Sequence, residues 1–144
     1  MKQIPLLFAL LGALAVSDIA AAKLVKLYSA ITDTGSKSRA TLYYDSASIR
    51  RESLRLANGN IEPIASVKLV FQYQPAYDEL NDGNRYTKSE QINQYTCRPV
   101  DGKYYRRTIQ TTFNGTRYRY HQDNPNAEWR SPDDDSSYAD IFCK

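Results

Sequence analysis

The chain has 144 residues, of which 42% are hydrophobic and 24% are charged. This length suits one domain, and the composition excludes a fibrous or disordered protein. The 19 basic and 16 acidic residues give a net charge of only +3, which is too small to indicate a polyelectrolyte partner. Tyrosine is abundant, with 12 copies, and together with threonine it favours β-sheet over packed helix.

The N-terminus has the layout of a secretory signal peptide. Lys2 supplies a positive charge, residues 6–16 are apolar, and residues 20–22 are small. The apolar run is shorter than the roughly 20 residues that a membrane-spanning helix needs. We therefore predict a signal peptide over residues 1–22 and one domain over 23–144, with no transmembrane segment after cleavage. Because no cysteine lies near the cleavage site, we expect a periplasmic, secreted or cell-surface protein without a lipid anchor.

The chain has two cysteines, Cys97 and Cys143. Export would place them in an oxidising compartment, where they allow only one intramolecular pairing. Their separation of 46 residues does not fit a redox C-x-x-C motif, and two ligands are too few for structural zinc. The sequence therefore predicts a Cys97–Cys143 disulfide and no metal site.

The body of the chain reads as β-strands. The strongest signal is the alternation of Val67, Leu69, Phe71 and Tyr73 with more polar residues. Six strands are predicted, over residues 24–31, 39–44, 67–73, 86–97, 104–113 and 116–121. Turns are predicted at 33–36, 45–49 (a tight turn or one helical turn), 58–60 and 99–102, and Asn114-Gly115 is the preferred two-residue hairpin turn.

The tail predicts one helix. Ser131 followed by Pro132 and acidic residues is typical of a helix start, and Tyr138, Ile141 and Phe142 form one apolar face. The fold class is therefore α+β, mainly antiparallel β, with a C-terminal helix tethered by the disulfide.

The helix must lie on the sheet face to which Cys97 points. A four-residue loop at 99–102 places Cys97 on the face of Tyr104 and Arg106, whereas a three-residue loop places it with Tyr105 and Ile109. The sequence leaves both arrangements open.

The predicted hairpin around Asn114-Gly115 has two different faces. On one face Phe113 opposes Thr116, Thr111 opposes Tyr118, and Ile109 opposes Tyr120. The other pairs Thr112 with Arg117, Gln110 with Arg119, and Thr108 with His121. It is a basic stripe whose members are Arg106, Arg117, Arg119, His121 and Tyr104. The stripe is either a docking surface for an acidic or sulfated partner or a solvated face whose arginines lie over tyrosine rings, and the small net charge favours the second interpretation.

No catalytic motif is present in the sequence. It has no G-x-S-x-G, H-E-x-x-H, Walker or G-x-G-x-x-G pattern, and His121 has no second histidine with which to form a metal cage. We therefore predict a protein that is not an enzyme and needs no cofactor. Export and the lack of a reader motif also argue against nucleic acid as a partner.

Several stretches in order resemble the surface-adhesin protein E family of small exported Gram-negative proteins. The stretches are 42–50 (LYYDSASIR), 67–75 (VKLVFQYQP), 88–90 (KSE) leading to 95–97 (YTC), 104–107 (YYRR), 128–132 (EWRSP) and the terminal Cys143. The resemblance implies a six-stranded antiparallel sheet with a disulfide-tethered C-terminal helix. It also implies dimers in at least one member, and binding to host glycoproteins such as vitronectin, laminin and plasminogen, with haem also proposed.

Two classes of function follow from these observations. The first is an adhesin-like protein that binds host extracellular-matrix or plasma glycoproteins through a sheet edge or the basic stripe. The second is a soluble periplasmic partner protein, such as an inhibitor, an immunity factor or an envelope-complex subunit. Exposure at the surface of intact cells distinguishes them.

Overall fold

A computed structural model describes residues 23–32, 37–131 and 136–144. The predicted signal peptide, the predicted turn at 33–36 and the predicted helix-start residues 132–135 lie outside the described residues. The described chain forms a six-stranded antiparallel sheet whose strands follow chain order, with one C-terminal helix. The strands are β1 (Leu24–Ile31), β2 (Arg39–Arg55), β3 (Ile61–Tyr77), β4 (Tyr86–Thr96), β5 (Arg106–Gly115) and β6 (Arg119–Asp123), and the helix α1 is Ser136–Phe142. The predicted fold class is confirmed.

Strands β2 and β3 are longer than predicted, with 17 residues each. The predicted turn that begins at Asp45 is instead a bulge within β2, where residues 46–49 lie opposite Val67 alone. The Asp45 carboxylate accepts hydrogen bonds from the backbone N–H groups of Lys23 (3.1 Å) and Ala47 (3.0 Å). Because the Asp45 side chain accepts hydrogen bonds from these backbone N–H groups, β2 can continue past the bulge.

Helix α1 packs against β3 and β4 on one face of the sheet, which we call the helix-side face. Phe142 is fully buried there, and its ring centroid lies 5.2 Å from those of both Tyr44 and Tyr95. Ile141, predicted to share this apolar face, is 38% exposed, and Ala139 is buried instead. No helix in the described part of the chain has the length and apolarity needed to cross a membrane.

The Cys97–Cys143 disulfide is confirmed, with the two Cα atoms 5.5 Å apart. Cys97 lies two residues beyond Tyr95, whose directly opposed residue on β5 is Arg106. Helix α1 therefore lies on the face that carries Arg106, as in the first of the two predicted arrangements. The turn itself is shorter than either predicted loop: Val100 and Lys103 exchange backbone hydrogen bonds (2.8 and 3.1 Å) around residues 101–102, which both have positive φ.

The predicted two-residue hairpin at Asn114-Gly115 is wrong. Strand β5 extends through Gly115, whose N–H donates to the Tyr118 carbonyl at 2.8 Å, and Phe113 pairs with Tyr120 rather than Thr116. The aromatic side chains set this register, since the rings of Phe113 and Tyr120 lie 6.2 Å apart on the helix-side face. Glycine is needed at 115 for close approach, because a Cβ there would clash with the Arg85 carbonyl.

We expect Cys143→Ser to lower the free energy of unfolding by roughly 2–5 kcal/mol, because the variant loses the cross-link that holds α1 on the sheet. Thermal unfolding followed by circular dichroism measures this change. A reducing agent should lower the melting temperature of the wild-type protein and leave that of the variant unchanged. Equal melting temperatures for the wild-type protein and the Cys143→Ser variant without reductant would contradict a stabilising role of the disulfide.

Stability should also depend on Asp82 in the loop before β4. The Tyr86 hydroxyl donates to Asp82 Oδ2 at 2.7 Å and holds the pKa of that carboxyl below its ordinary value of 3.8, while burial raises the pKa of Tyr86 to about 12. A carboxyl whose pKa is lower in the folded than in the unfolded protein stabilises the fold at pH values above its unfolded-state pKa. This stabilisation is lost as the pH falls through the lower, folded-state pKa.

We therefore expect Asp82→Asn to lower the melting temperature at pH 7, with a difference from wild type that shrinks below about pH 4. Tyr86→Phe removes the same hydrogen bond and should show the same pH dependence. A difference that is constant between pH 7 and pH 3 would contradict this role.

Candidate binding groove

A groove of about 670 Å³ crosses the helix-side face, and we call it the helix-side groove. Its floor is formed by side chains of β2 to β5. Tyr28 on β1, Tyr138 on α1 and the segment 124–131 after β6 form its walls. The floor residues are Leu42, Leu69, Phe71, Gln91, Asn93, Tyr95 and Thr108. This volume lies within the range of about 300–1,000 Å³ that is typical of ligand sites.

A smaller cavity of about 210 Å³, lined by residues of β1 to β5, adjoins the groove. The two share Tyr28, Leu42, Phe71 and Gln91, so they form one continuous depression. Glu79 also lines the smaller cavity, and burial raises the pKa of its carboxyl. The depression therefore carries an acidic group at one end.

The polar part of the floor is internally hydrogen-bonded. The Thr108 hydroxyl donates to Asn93 Oδ1 at 2.8 Å, and Asn93 Nδ2 donates to the Tyr95 hydroxyl at 3.0 Å. Tyr95 in turn packs against Tyr138 of the helix, with 5.5 Å between ring centroids. Because Asn93 is only 4% exposed, its partners fix its orientation, and the floor is a rigid platform linked to α1.

The wall formed by segment 124–131 is fastened to β5 at three points. Asn124 donates to the Ile109 carbonyl at 2.8 Å, and Arg106 and Arg130 exchange two backbone hydrogen bonds of 2.8 Å. Arg107 supplies the third contact, since its guanidinium lies 4.6 Å above the Trp129 ring and its Nε donates to Gln94 at 2.7 Å. Burial lowers the pKa of Arg107.

Positive charge is concentrated at the end of the groove near this wall. The charged residues that line the groove in the described part of the chain are Arg106, Arg107, Arg130 and Glu128, and the Arg107 side chain is directed to Gln94 and Trp129. Residues that exchange both backbone hydrogen bonds across an antiparallel pair project from the same face. Arg106 and Arg130 are such a pair and both line the groove, so two guanidinium groups share this end.

The predicted basic stripe is divided between the two faces of the sheet. Arg106 lines the helix-side groove, whereas Arg119 and His121 pair with Asn114 and Thr112 on the opposite face. Arg117 lies exposed in the turn between β5 and β6. These positions are a correction, because the predicted pairs Thr112–Arg117, Gln110–Arg119 and Thr108–His121 do not form.

Tyr104 is half-buried in the connection before β5, outside any strand.

An irregularity in β5 explains the division. Ile92 pairs with Gln110 and Asn93 with Thr108, so Ile109 has no directly opposed residue on β4. An extra residue in one strand reverses the side-chain alternation beyond it. Arg106 therefore faces the helix, whereas the residues of β5 that pair with Arg119 and His121 face away from it.

His121 belongs to a small polar chain on the opposite face. Its Nδ1 lies 2.7 Å from Thr112 Oγ1 and its Nε2 lies 3.1 Å from Asp123 Oδ1. Hydrogen bonds from Gln110 and His121, the first being the larger effect, lower the pKa of Asp123. Among the described residues, no three His, Cys, Asp or Glu side chains come together so as to hold a metal ion.

Sequence reasoning missed Tyr28, Asn93 and Arg130 as site residues. Asn93 could have been suspected from the sequence. It lies in the same predicted strand as Tyr95 and Cys97 and shares their face, and a buried side-chain amide needs hydrogen-bond partners. Arg130 gave no such signal, because its pairing with Arg106 depends on a return of the chain along β5 after β6.

Comparison with known proteins adds no relative: no protein-family model, curated protein or solved structure matches this chain. The resemblance to the surface-adhesin protein E family therefore stays a prediction.

We expect Asn93→Ala to lower the free energy of unfolding by about 1–3 kcal/mol, because the acceptor for Thr108 and the donor to Tyr95 are lost from a buried site. Urea unfolding measures the change. The matched control is Gln91→Ala, which truncates another amide two residues away on the same strand, where the side chain is half-buried. An equal loss in both variants would contradict a specific role for the Asn93 network.

Proposed function

We propose that this chain is an exported, non-enzymatic binding protein that holds an extended segment of a partner protein in the helix-side groove. The observation that carries the proposal is the groove itself, a depression whose floor combines the apolar Leu42, Leu69 and Phe71 with polar side chains, and which has tyrosines in its walls and arginines at one end. Pockets that combine an apolar lining with a few placed polar groups are the usual binding sites of proteins.

The shape of the groove favours an extended peptide over a compact ligand. It reaches from Tyr28 on the first strand to Arg130 beyond the fifth, which amounts to five interstrand spacings. At about 4.8 Å per spacing, this is about 24 Å, or the length of about seven extended residues. Tyr28 and Tyr138 offer flat, amphipathic surfaces of the kind that protein interfaces favour.

The identity of the partner divides the proposal into two forms. The resemblance to the surface-adhesin protein E family favours host extracellular-matrix or plasma glycoproteins. The alternative is a periplasmic partner, for which the chain would act as an inhibitor, an immunity factor or an envelope-complex subunit. The disulfide is compatible with both, since both compartments are oxidising.

Site-specific photo-crosslinking in the cells that export the protein tests the groove. A photoreactive residue at Tyr28, which lines the groove and is 50% exposed, should give a discrete adduct with one partner protein. The matched control is Tyr118, which is 46% exposed but lies in the β5–β6 turn. An adduct from Tyr118 and none from Tyr28 would overturn the proposed site.

Protease accessibility separates the two forms of the proposal. Digestion on intact cells would place the protein at the surface and support the adhesin-like form. Protection until the outer membrane is opened would contradict that form and support the periplasmic one.

A further inference from the structure

Lys23, the residue before β1, is held against β2 by three hydrogen bonds. Its carbonyl accepts from the Ser46 backbone N–H at 2.9 Å and from the Ser46 hydroxyl at 3.1 Å. Its backbone nitrogen lies 3.1 Å from Oδ1 of Asp45. Contacts on both sides of the Lys23 α-carbon therefore fix the position of this nitrogen, although the residue as a whole is exposed.

The Asp45 carboxylate is buried but only partly satisfied within the described chain. Asp45 is 7% exposed, and the two hydrogen bonds that its carboxylate accepts, from the N–H groups of Lys23 and Ala47, both end on Oδ1. Among the described residues, none donates to Oδ2, and no lysine, arginine or histidine forms an ion pair with this carboxylate. A buried carboxylate is costly unless hydrogen bonds and a positive charge compensate it. Oδ2 therefore calls for a further, positively charged donor.

We infer that Asp45 is the receptor for the α-ammonium group that cleavage of the predicted signal peptide creates at Lys23. This inference rests on the export that the proposed function includes, and it assigns a site that peptide binding in the groove does not need. Hydrolysis breaks the amide C–N bond between Ala22 and Lys23. The oxygen of water goes to Ala22, which leaves as a carboxylate, and both protons go to the Lys23 nitrogen, which becomes –NH₃⁺. The atom that acquires the charge is the one that already lies 3.1 Å from Asp45.

The α-ammonium group improves this contact in two ways. An amide N–H provides one donor and no charge, whereas an ammonium group provides three donors and a full positive charge. It can therefore serve both oxygens of the Asp45 carboxylate. Charge-assisted hydrogen bonds are about twice as strong as neutral ones, and burial of the carboxylate protects the pair from screening by salt.

Several basic groups near Asp45 oppose the new charge. Lys68 lies directly opposite Asp45 on β3, and Arg50 follows the bulge of β2 on the same sheet face. Lys26 shares this face and pairs with Tyr43, and the N-terminal lysine carries a side-chain ammonium group of its own. These basic side chains repel an α-ammonium group and could compete for the carboxylate. None of them forms an ion pair with it among the described residues, whereas the backbone holds the N-terminal nitrogen at Oδ1.

Only cleavage directly before Lys23 completes the site. A chain that begins one residue earlier keeps a neutral amide at Asp45 and carries its charge about 3.5 Å farther along the chain. The site anchors the free end of β1, which is an edge strand and pairs with β2 alone. Cleavage therefore strengthens the attachment of the strand that carries Tyr28, a wall of the groove.

Urea unfolding tests the inference on two forms of the mature chain. One form begins at Lys23, released from an N-terminal fusion by a protease that leaves no extra residue, and the matched control begins at Ala22. The control keeps an amide N–H at residue 23 and moves only the charge. At pH 7 the unfolding equilibrium constant of the Lys23 form should be at least about tenfold smaller. Asp45→Asn should reduce this ratio to less than about twofold, because the asparagine Oδ1 still accepts both backbone hydrogen bonds but carries no charge.

The pH dependence of the ratio is a second readout that does not need the Asp45 variant to fold. An α-ammonium group that gains a carboxylate partner on folding has a higher pKa in the folded chain than in the unfolded one, where it titrates at about 7.7–8.0. The advantage of the Lys23 form should be full below about pH 7 and should be lost as the pH rises through the folded-state pKa. The two forms share all other titratable groups, whose contributions cancel.

Three results of these measurements would overturn the inference. They are equal unfolding constants for the Lys23 and Ala22 forms, an advantage that persists in Asp45→Asn, and an advantage that is constant between about pH 6 and pH 10. All three leave the proposed function standing, because export and binding in the groove do not depend on the charge at residue 23.

Mass spectrometry of the N-terminal peptide from exporting cells gives the cleavage position. A terminus at Lys23 supports the inference. A terminus at Ala21 or Ala22 overturns it and leaves export standing, whereas retention of residues 1–22 overturns it and contradicts the export in the proposed function as well. The crosslink from Tyr28 tests the groove separately.

Discussion

The packing of a short helix on an open sheet determines the rest of this structure. A six-stranded meander has two faces, and α1 spans only the seven residues Ser136–Phe142, too few to be stable alone in water. The disulfide to Cys97 and the burial of Phe142 between Tyr44 and Tyr95 hold it in place. Because the helix packs mainly on β3 and β4, with one ring contact to Tyr44 of β2, it covers part of its face and leaves the remainder as a groove.

Tyrosine makes this incompletely covered face stable. An apolar surface open to water would be an aggregation hazard, whereas a tyrosine ring packs like an apolar side chain while its hydroxyl forms a hydrogen bond. Tyr95 illustrates this, since its ring packs on Phe142 while its hydroxyl accepts a hydrogen bond from Asn93 in the groove floor. The second cluster around Tyr73 follows the same rule, because the Tyr73 hydroxyl lies 3.1 Å from the hydroxyl of Ser89. The tyrosine content of the sequence is thus a consequence of a half-covered sheet.

The sequence predicted several local features correctly from short-range rules. The alternation from Val67 to Tyr73 identified the central strand, and the turn at Asn58 to Asn60 lies where glycine and asparagine predict it. The predicted export and the two cysteines were enough to predict the disulfide, since only one pairing exists. These features depend on residues that are close in sequence or, for the cysteines, on the lack of any other choice.

Long-range register could not be predicted in the same way. The Asn114-Gly115 dipeptide is a strong turn signal, but the contact between Phe113 and Tyr120 favours a longer turn. The bulge at Ile109 depends on the partner strand and on the hydrogen bond from Asn124, so periodicity within β5 gave no sign of it. This single irregularity separates Arg106 from Arg119 and His121, and the candidate site moves from a stripe on the sheet to a groove beside the helix.

The central claim is that the chain binds its partner through the helix-side face. Mapping of backbone amide chemical shifts by NMR, while the partner identified by the Tyr28 crosslink is added to the isotope-labelled mature protein, tests it most directly. The account predicts shifts at Asn93, Thr108 and Arg130, with the amides of Thr112, Arg119 and His121 little changed. Shifts confined to that second group would contradict it and would indicate binding on the opposite face.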